Sequence, residues 1–235
     1  MPTRHAPPGA RVVEGGAVEY RAACGSVEAM PPAATFQPRH ATMPTPSPRA
    51  LVVSTALRPG NKTTTAARFL ADRLTADGAT VDLVDLATEP LPACDGATCY
   101  ADERVVAMTK RVEAADLIAV CFPVYNYQPN AAAKNFVELT NAAWKDKVVT
   151  FVANAGGDRS FLAPLPLATA LMVDHRCVIV PQFLYLPPAA FDPSGAIVLD
   201  PLATEVFDGQ VAAALHLATA WASRPRRPTS GATGP

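Results

Sequence analysis

Three short segments of this 235-residue chain concentrate side chains able to hold a ligand, and each directly follows an apolar run. The first contains Ser54, Thr55, Arg58, Asn61, Lys62, Thr63, Thr64 and Thr65. It offers hydroxyls, an amide and cations where a helix should begin. A helix N-terminus exposes unpaired N–H groups and partial positive charge, so donors gathered there can cradle a phosphate. A plain N-cap by Asn61 or Thr63 is the competing reading. The segment has neither the Walker spacing nor G-x-G-x-x-G, which argues against a nucleoside triphosphate or a Rossmann dinucleotide.

The second segment runs Pro123, Val124, Tyr125, Asn126, Tyr127, Gln128, Pro129, Asn130, followed by Lys134 and Asn135. Tyrosines and asparagines beyond a buried strand suit a planar aromatic ligand, since rings supply apolar contact and amides read a polar edge. A turn rich in Asn and Pro, with the tyrosines capping the core, is the alternative. The third segment is Asn154, Ala155, Gly156, Gly157, Asp158. Paired glycines let backbone approach a ligand closely, although a simple turn would use them as readily.

Positioning these segments requires strands that end where they begin. Strand signals fall at 51–54, 81–86, 117–122, 148–153 and 177–180, alternating with helix signals at 62–76, 103–115, 131–140, 162–173 and 202–221. Gly78 suits the end of the first helix. Strands alternating with helices predict a parallel sheet covered on both faces. The expected fold is a flavodoxin-like α/β/α sandwich with a five-stranded parallel sheet in the order 2-1-3-4-5. Its ligand crevice lies at the carboxyl ends of the first and third strands.

Composition limits the alternatives. The 24 prolines are about twice the usual share. Half of them fall in 1–49 and 222–235, so these ends are expected to be disordered extensions around one domain at 50–221. Charge divides along the same line. The overall net of −1 combines +5 on the two ends with −6 on 50–221. An acidic domain without clustered Lys and Arg is a poor nucleic-acid or anionic-membrane surface. No run of about 18 apolar residues is present, and the N-terminus lacks a secretory signal's apolar segment. The five cysteines are an odd number, with Cys121 and Cys177 in strand-like runs, so the chain reads as cytoplasmic and reduced.

Taken together, the three segments resemble the NADPH-dependent FMN reductase family, flavodoxin-like enzymes that include quinone, azo and chromate reductases. The resemblance spans roughly 50–190. Arg58-Pro59-Gly60-Asn61-Lys62-Thr63 resembles the family's phosphate loop. Pro123-Val124-Tyr125-Asn126-Tyr127 with Lys134-Asn135 resembles its Pro-Glu-Tyr-Asn signature and following Leu-Lys-Asn. Gly156-Gly157 stands at its third flavin loop. The chain departs from the pattern at Thr55-Ala56, which replaces Gly-Ser and removes a phosphate-binding hydroxyl, at Val124 for Glu, at Ala133 for Leu, and in a proline shifted by one position.

The resemblance implies an FMN-dependent NAD(P)H oxidoreductase. Hydride would pass from NADPH through FMN to a small acceptor such as a flavin, quinone, azo or nitro compound, or secondary metabolite. It implies Ser54, Arg58, Asn61 and Thr63 at the phosphate, Pro123, Val124, Tyr125 and Asn126 beside the isoalloxazine, and Asn154, Gly156 and Gly157 along its polar edge. Arg159 would reach the flavin edge or the NADPH phosphate. No catalytic acid, base or nucleophile and no metal ligand is expected, because the cofactor carries the chemistry. Family members assemble as dimers or tetramers, and the loop at 161–165 and the Pro-rich insert at 183–201 would supply an interface or substrate wall. Two other functions stand beside this one: an FMN-binding electron carrier without NADPH activity, and a flavin-free binding module. Cys94 and Cys99 lie where related iron–sulfur flavoproteins carry a cluster, but a cluster needs about four thiolates, leaving a disulfide or an adapted loop.

Overall fold

Apolar side chains alternate between two faces along the longest strand, and the whole domain is arranged around it. In this computed structural model, which describes residues 10–12, 18–20 and 47–223, Leu117–Tyr125 is fully buried from Leu117 through Phe122. Leu117, Ala119 and Cys121 point to one face, Ile118, Val120 and Phe122 to the other, the two-residue period of a strand covered on both sides.

The chain divides into two units, 1–43 and 44–235. In the first, β1 (Ala10–Val12) pairs antiparallel with β2 (Val18–Tyr20). The rest of the expected N-terminal extension, including Cys24, and the C-terminal tail beyond 223 lie outside the described residues.

In the second unit, β3 (Arg49–Ser54), β4 (Thr80–Asp85), β5 (Leu117–Tyr125) and β7 (Val148–Asn154) form a parallel sheet ordered β4-β3-β5-β7. The next position holds two short strands, β8 (Val178–Ile179) and β9 (Leu184–Leu186), both parallel to β7. This is the expected 2-1-3-4-5 order with its fifth strand interrupted. Pro181, lacking an N–H, stands in the interruption. The pairing jumps from Val149↔Ile179 to Val152↔Leu184, leaving Thr150 and Phe151 of β7 between the two. Gln210 fills that gap, its Nε2 donating to the Thr150 hydroxyl and the Phe151 carbonyl at 2.8 Å each. The expected single strand at 177–180 is therefore corrected, because part of the Pro-rich insert belongs to the sheet.

Helices α1 (Lys62–Ala76) and α5 (Pro201–Ala222) cover one face. The other is covered by α2 (Glu103–Ala114), α3 (Ala131–Thr140) and α4 (Leu165–His175). Helix α1 closes at Gly78, whose φ of +95° lets the Gly78 and Ala79 N–H groups return to the carbonyls of Thr75 and Leu74. Helix α4 starts three residues later than its apolar pattern suggests, behind Pro164. Cys121 and Cys177 are core thiols, and burial pushes Cys177 up to about 11. Among the described residues no helix is long and apolar enough to cross a membrane.

Candidate functional site

Strand register brings the three segments to one rim of the sheet. Ser54 stands level with Asp85 on one side and Cys121 on the other, Pro123 with Asn154, and Asn154 with Leu186. All the loops beyond these residues leave from the carboxyl ends of the strands, the crevice side of this topology.

The first loop is braced from within. Asn61 caps α1, accepting from the Thr64 N–H at 2.8 Å, and its Nδ2 donates to the Arg58 carbonyl at 2.6 Å and to the Thr64 hydroxyl at 3.0 Å. The Thr64 hydroxyl also contacts Ser54 Oγ at 2.9 Å and donates to Asp85 Oδ2 at 3.0 Å. Ser54 is fully buried. The polar atoms of Ser54 and Asn61 are thus spent on the shape of the loop, so the plain N-cap reading of Asn61 is observed. Donors still remain. Thr63 is 1% exposed, yet its hydroxyl has no partner among the described residues. The Lys62 and Thr63 N–H groups open α1 and precede its first intrahelical bond. Arg58 is exposed, with its guanidinium in no ion pair among the described residues. Lys62 Nζ lies 4.6 Å from the Phe191 ring centroid, drawing the 183–201 insert alongside this loop.

The second segment forms a hairpin in place of an open loop. Strand β5 continues through Tyr125, turns at Asn126 and Tyr127, and pairs back through β6 (Gln128–Pro129). Both turn residues have positive φ, 51° and 63°, the conformation of a two-residue type I′ turn. Tyr125 and Tyr127 are 63% and 62% exposed, so the tyrosines do not cap the core. Pro123 and Val124, which precede them on the strand, are buried and half-buried. Asn130, which opens α3, fastens this segment to the first. The Thr55 hydroxyl donates to Asn130 Oδ1 at 2.7 Å, and Asn130 Nδ2 donates to the Thr55 carbonyl at 2.8 Å.

The third loop is anchored at both ends. Asn154 Nδ2 and the Ala155 N–H both donate to the Leu186 carbonyl, at 3.3 and 3.0 Å. The Tyr185 hydroxyl donates to the Gly157 carbonyl and accepts from the Ser160 N–H. Neither Gly156 nor Gly157 has positive φ, and a Cβ on either would meet nothing within 4 Å. Loop geometry therefore gives no reason for glycine at either position. Open space before two bare peptide units is a surface that a planar ligand can approach.

Four residues that brace the site escape a reading by residue type: Thr64, Asp85, Asn130 and Tyr185. Thr64 and Asn130 fall inside segments already marked by composition. Asp85 and Tyr185 sit in ordinary strand sequence with no signal of their own. These observations meet the demands of a flavin mononucleotide: unpaired donors for a phosphate, exposed rings for an aromatic system, and open backbone along an edge.

A family model described as NADPH-dependent FMN reductase matches residues 48–190. Among solved structures, FerB, a flavoenzyme NAD(P)H:(acceptor) oxidoreductase from Paracoccus denitrificans, is 19% identical, with 74% of this chain and 96% of that one covered at a TM-score of 0.59. An oxidoreductase from Corynebacterium diphtheriae is 20% identical, with 77% and 100% covered and a TM-score of 0.58. The apo form of the NADH:FMN oxidoreductase EMOB is 14% identical, with 76% and 92% covered and a TM-score of 0.59. At such identities these likenesses speak for the fold. No curated protein matches the chain.

Proposed function

The chain belongs to the NADPH-dependent FMN reductase family, whose model covers more than half of its length, and from that premise we propose that it is an FMN-dependent NAD(P)H oxidoreductase acting on a small electron acceptor. The observation that carries this reading is the opening of α1, where the Thr63 hydroxyl makes no hydrogen bond among the described residues and stands beside N–H groups not yet used by the helix. Unpaired N–H and O–H donors gathered at a helix N-terminus are what a bound phosphate would take up.

Bound FMN would supply two-electron chemistry, taking hydride from a reduced nicotinamide and delivering it to the acceptor. The chain's own groups bind and orient. Arg58, the Thr63 hydroxyl and the N–H groups of Lys62 and Thr63 hold the phosphate, while Ser54 and Asn61 keep the loop in shape around it. Pro123, Val124, Tyr125 and Asn126 flank one side of the isoalloxazine, and Asn154, Gly156 and Gly157 line its polar edge. The exposed side chains of Leu57, Tyr125, Tyr127, Phe161 and Leu162 follow the same strand ends. An apolar rim of this kind suits a planar acceptor such as a quinone, azo or nitro compound, and a second copy of the chain in a homodimer or homotetramer. The preferred nicotinamide is NADPH, with Arg159 available to its phosphate.

Visible spectra of the purified protein, before and after anaerobic NADPH, test the reading. A flavin absorbance band that bleaches with NADPH, then returns when a quinone is added, is the expected result. A flavin band that NADPH leaves unchanged points to an electron carrier. Protein that takes up no flavin from an FMN solution is a binding module of another kind.

A further inference from the structure

The loop joining β4 to α2 holds two thiols for which the proposed reaction has no use. Cys94 is half-buried, while Cys99 is 6% exposed. Their sulfurs lie 3.9 Å apart, with Cys99 Sγ donating towards Cys94 Sγ. The Tyr100 hydroxyl lies 3.6 Å from Cys94 Sγ, a contact in which either group can donate. Asp95 closes the turn between the cysteines, its carboxylate accepting from the N–H groups of Ala97 and Cys99 and from the Thr98 hydroxyl. Asn135 of α3 fixes the entry to the loop, accepting from the Cys94 N–H at 2.8 Å and donating to the Pro92 carbonyl at 2.8 Å.

Cys94 also lines a groove of about 270 Å³ with Tyr100, Lys134, Glu138, Asp174 and His175. Cys121 and Cys177, in contrast, are core thiols. Among the described residues no three His, Cys, Asp or Glu side chains gather as a metal site would require. Two sulfurs in near contact, one reachable from a groove and one behind it, are the arrangement of an attacking and a resolving thiol.

We propose that Cys94 and Cys99 form an exchange pair that reacts with a low-molecular-weight disulfide entering this groove. The Cys94 thiolate attacks one sulfur of the disulfide, forming a mixed disulfide and expelling the other half as a thiolate. Cys99 then loses its proton to solvent and attacks Cys94 Sγ, closing the Cys94–Cys99 bond and releasing the second half. One disulfide is reduced to two thiols as two protein thiols become one disulfide. The order of the steps follows from access and charge. Cys94 lines the groove and so meets the disulfide first. Burial and the Asp95 carboxylate hold the Cys99 thiol above its ordinary value, keeping it protonated until the mixed disulfide is beside it. Closing the bond requires the sulfurs to move together by only about 2 Å, to the usual S–S length.

The test uses the full-length chain carrying Cys24→Ser, incubated with oxidised glutathione and followed by intact mass and peptide mapping. The expected product is a chain lighter by two hydrogens, linked Cys94–Cys99 and free of glutathione, with two reduced glutathiones released per chain. Cys99→Ser should stop at one glutathionyl group on Cys94, and Cys99→Ala should do the same if packing at 99 is disturbed by the hydroxyl. Cys94→Ser should lose both products. The proposal is overturned if the parent chain accumulates a stable glutathionyl adduct, if Cys99 is modified as fast when Cys94 is absent, or if neither cysteine reacts while the urea-unfolded chain does.

Discussion

Thr55 and Asn130, 75 positions apart, exchange two hydrogen bonds, hydroxyl to amide oxygen at 2.7 Å and amide nitrogen to carbonyl at 2.8 Å. Both residues are buried, at 0% and 6% exposure. The pair ties the loop after β3 to the first turn of α3, so that loop and the tyrosine hairpin are held as one body. It also gives a task to the threonine that departs from the family's Gly-Ser pattern: its hydroxyl is committed to the scaffold.

Asn130→Ala should therefore lower both stability and FMN affinity. It leaves the Thr55 carbonyl and hydroxyl each without one partner in a buried position, a loss of about 1–3 kcal/mol. Thermal unfolding and FMN titration of the apoprotein measure the two effects. A variant with unaltered melting temperature would show that the pair does not hold the loops together.

Arg58→Ala isolates binding from folding. Arg58 is exposed and its guanidinium has no ion-pair partner among the described residues, so the melting temperature of the apoprotein should not change. FMN should bind about tenfold more weakly, the worth of one charged hydrogen bond at about 1.4 kcal/mol, and the difference should shrink with added salt. Equal affinities would remove the phosphate from this loop.

Most of the frame was legible because its signals are local and periodic. The apolar run at 117–122, the helix face of Ala66, Leu70 and Leu74, and the stop at Gly78 each carry their element in a few residues. What stayed hidden depends on distant partners or unusual turn chemistry. The fifth strand resumes at Leu184 beyond Pro181, and Gln210, arriving on α5, bonds the Thr150 hydroxyl and Phe151 carbonyl of β7 in the gap. The hairpin at Asn126 and Tyr127 lacks the glycine that normally marks a type I′ turn. Asn61 suits a cap and a phosphate ligand equally by residue type, and its 2.8 Å bond from the Thr64 N–H shows which task its oxygen performs.

Gly157→Ala separates a loop requirement from a ligand requirement. The added methyl meets nothing within 4 Å and the backbone φ is ordinary, so stability should hold or rise by about 0.4–1 kcal/mol from the stiffer unfolded chain. If a flavin edge lies against this peptide, FMN affinity should nevertheless fall. Titration beside a melting curve tests both halves, and unchanged binding would move the ring elsewhere.

Tyr127 occupies a left-handed conformation, φ 63°, that a bulky residue adopts only at a cost of about 1–2 kcal/mol, and its ring is 62% exposed. Packing in the isolated chain does not repay that strain, and backbone strain of this kind gathers at functional sites. Tyr127→Asn keeps the turn and relieves the strain, because asparagine tolerates this region. The melting temperature should therefore rise while the rate of NADPH oxidation with a quinone falls, the loss appearing in the acceptor's KM if the ring forms part of the acceptor wall. A variant that is both more stable and fully active would mean that the ring serves neither acceptor nor flavin.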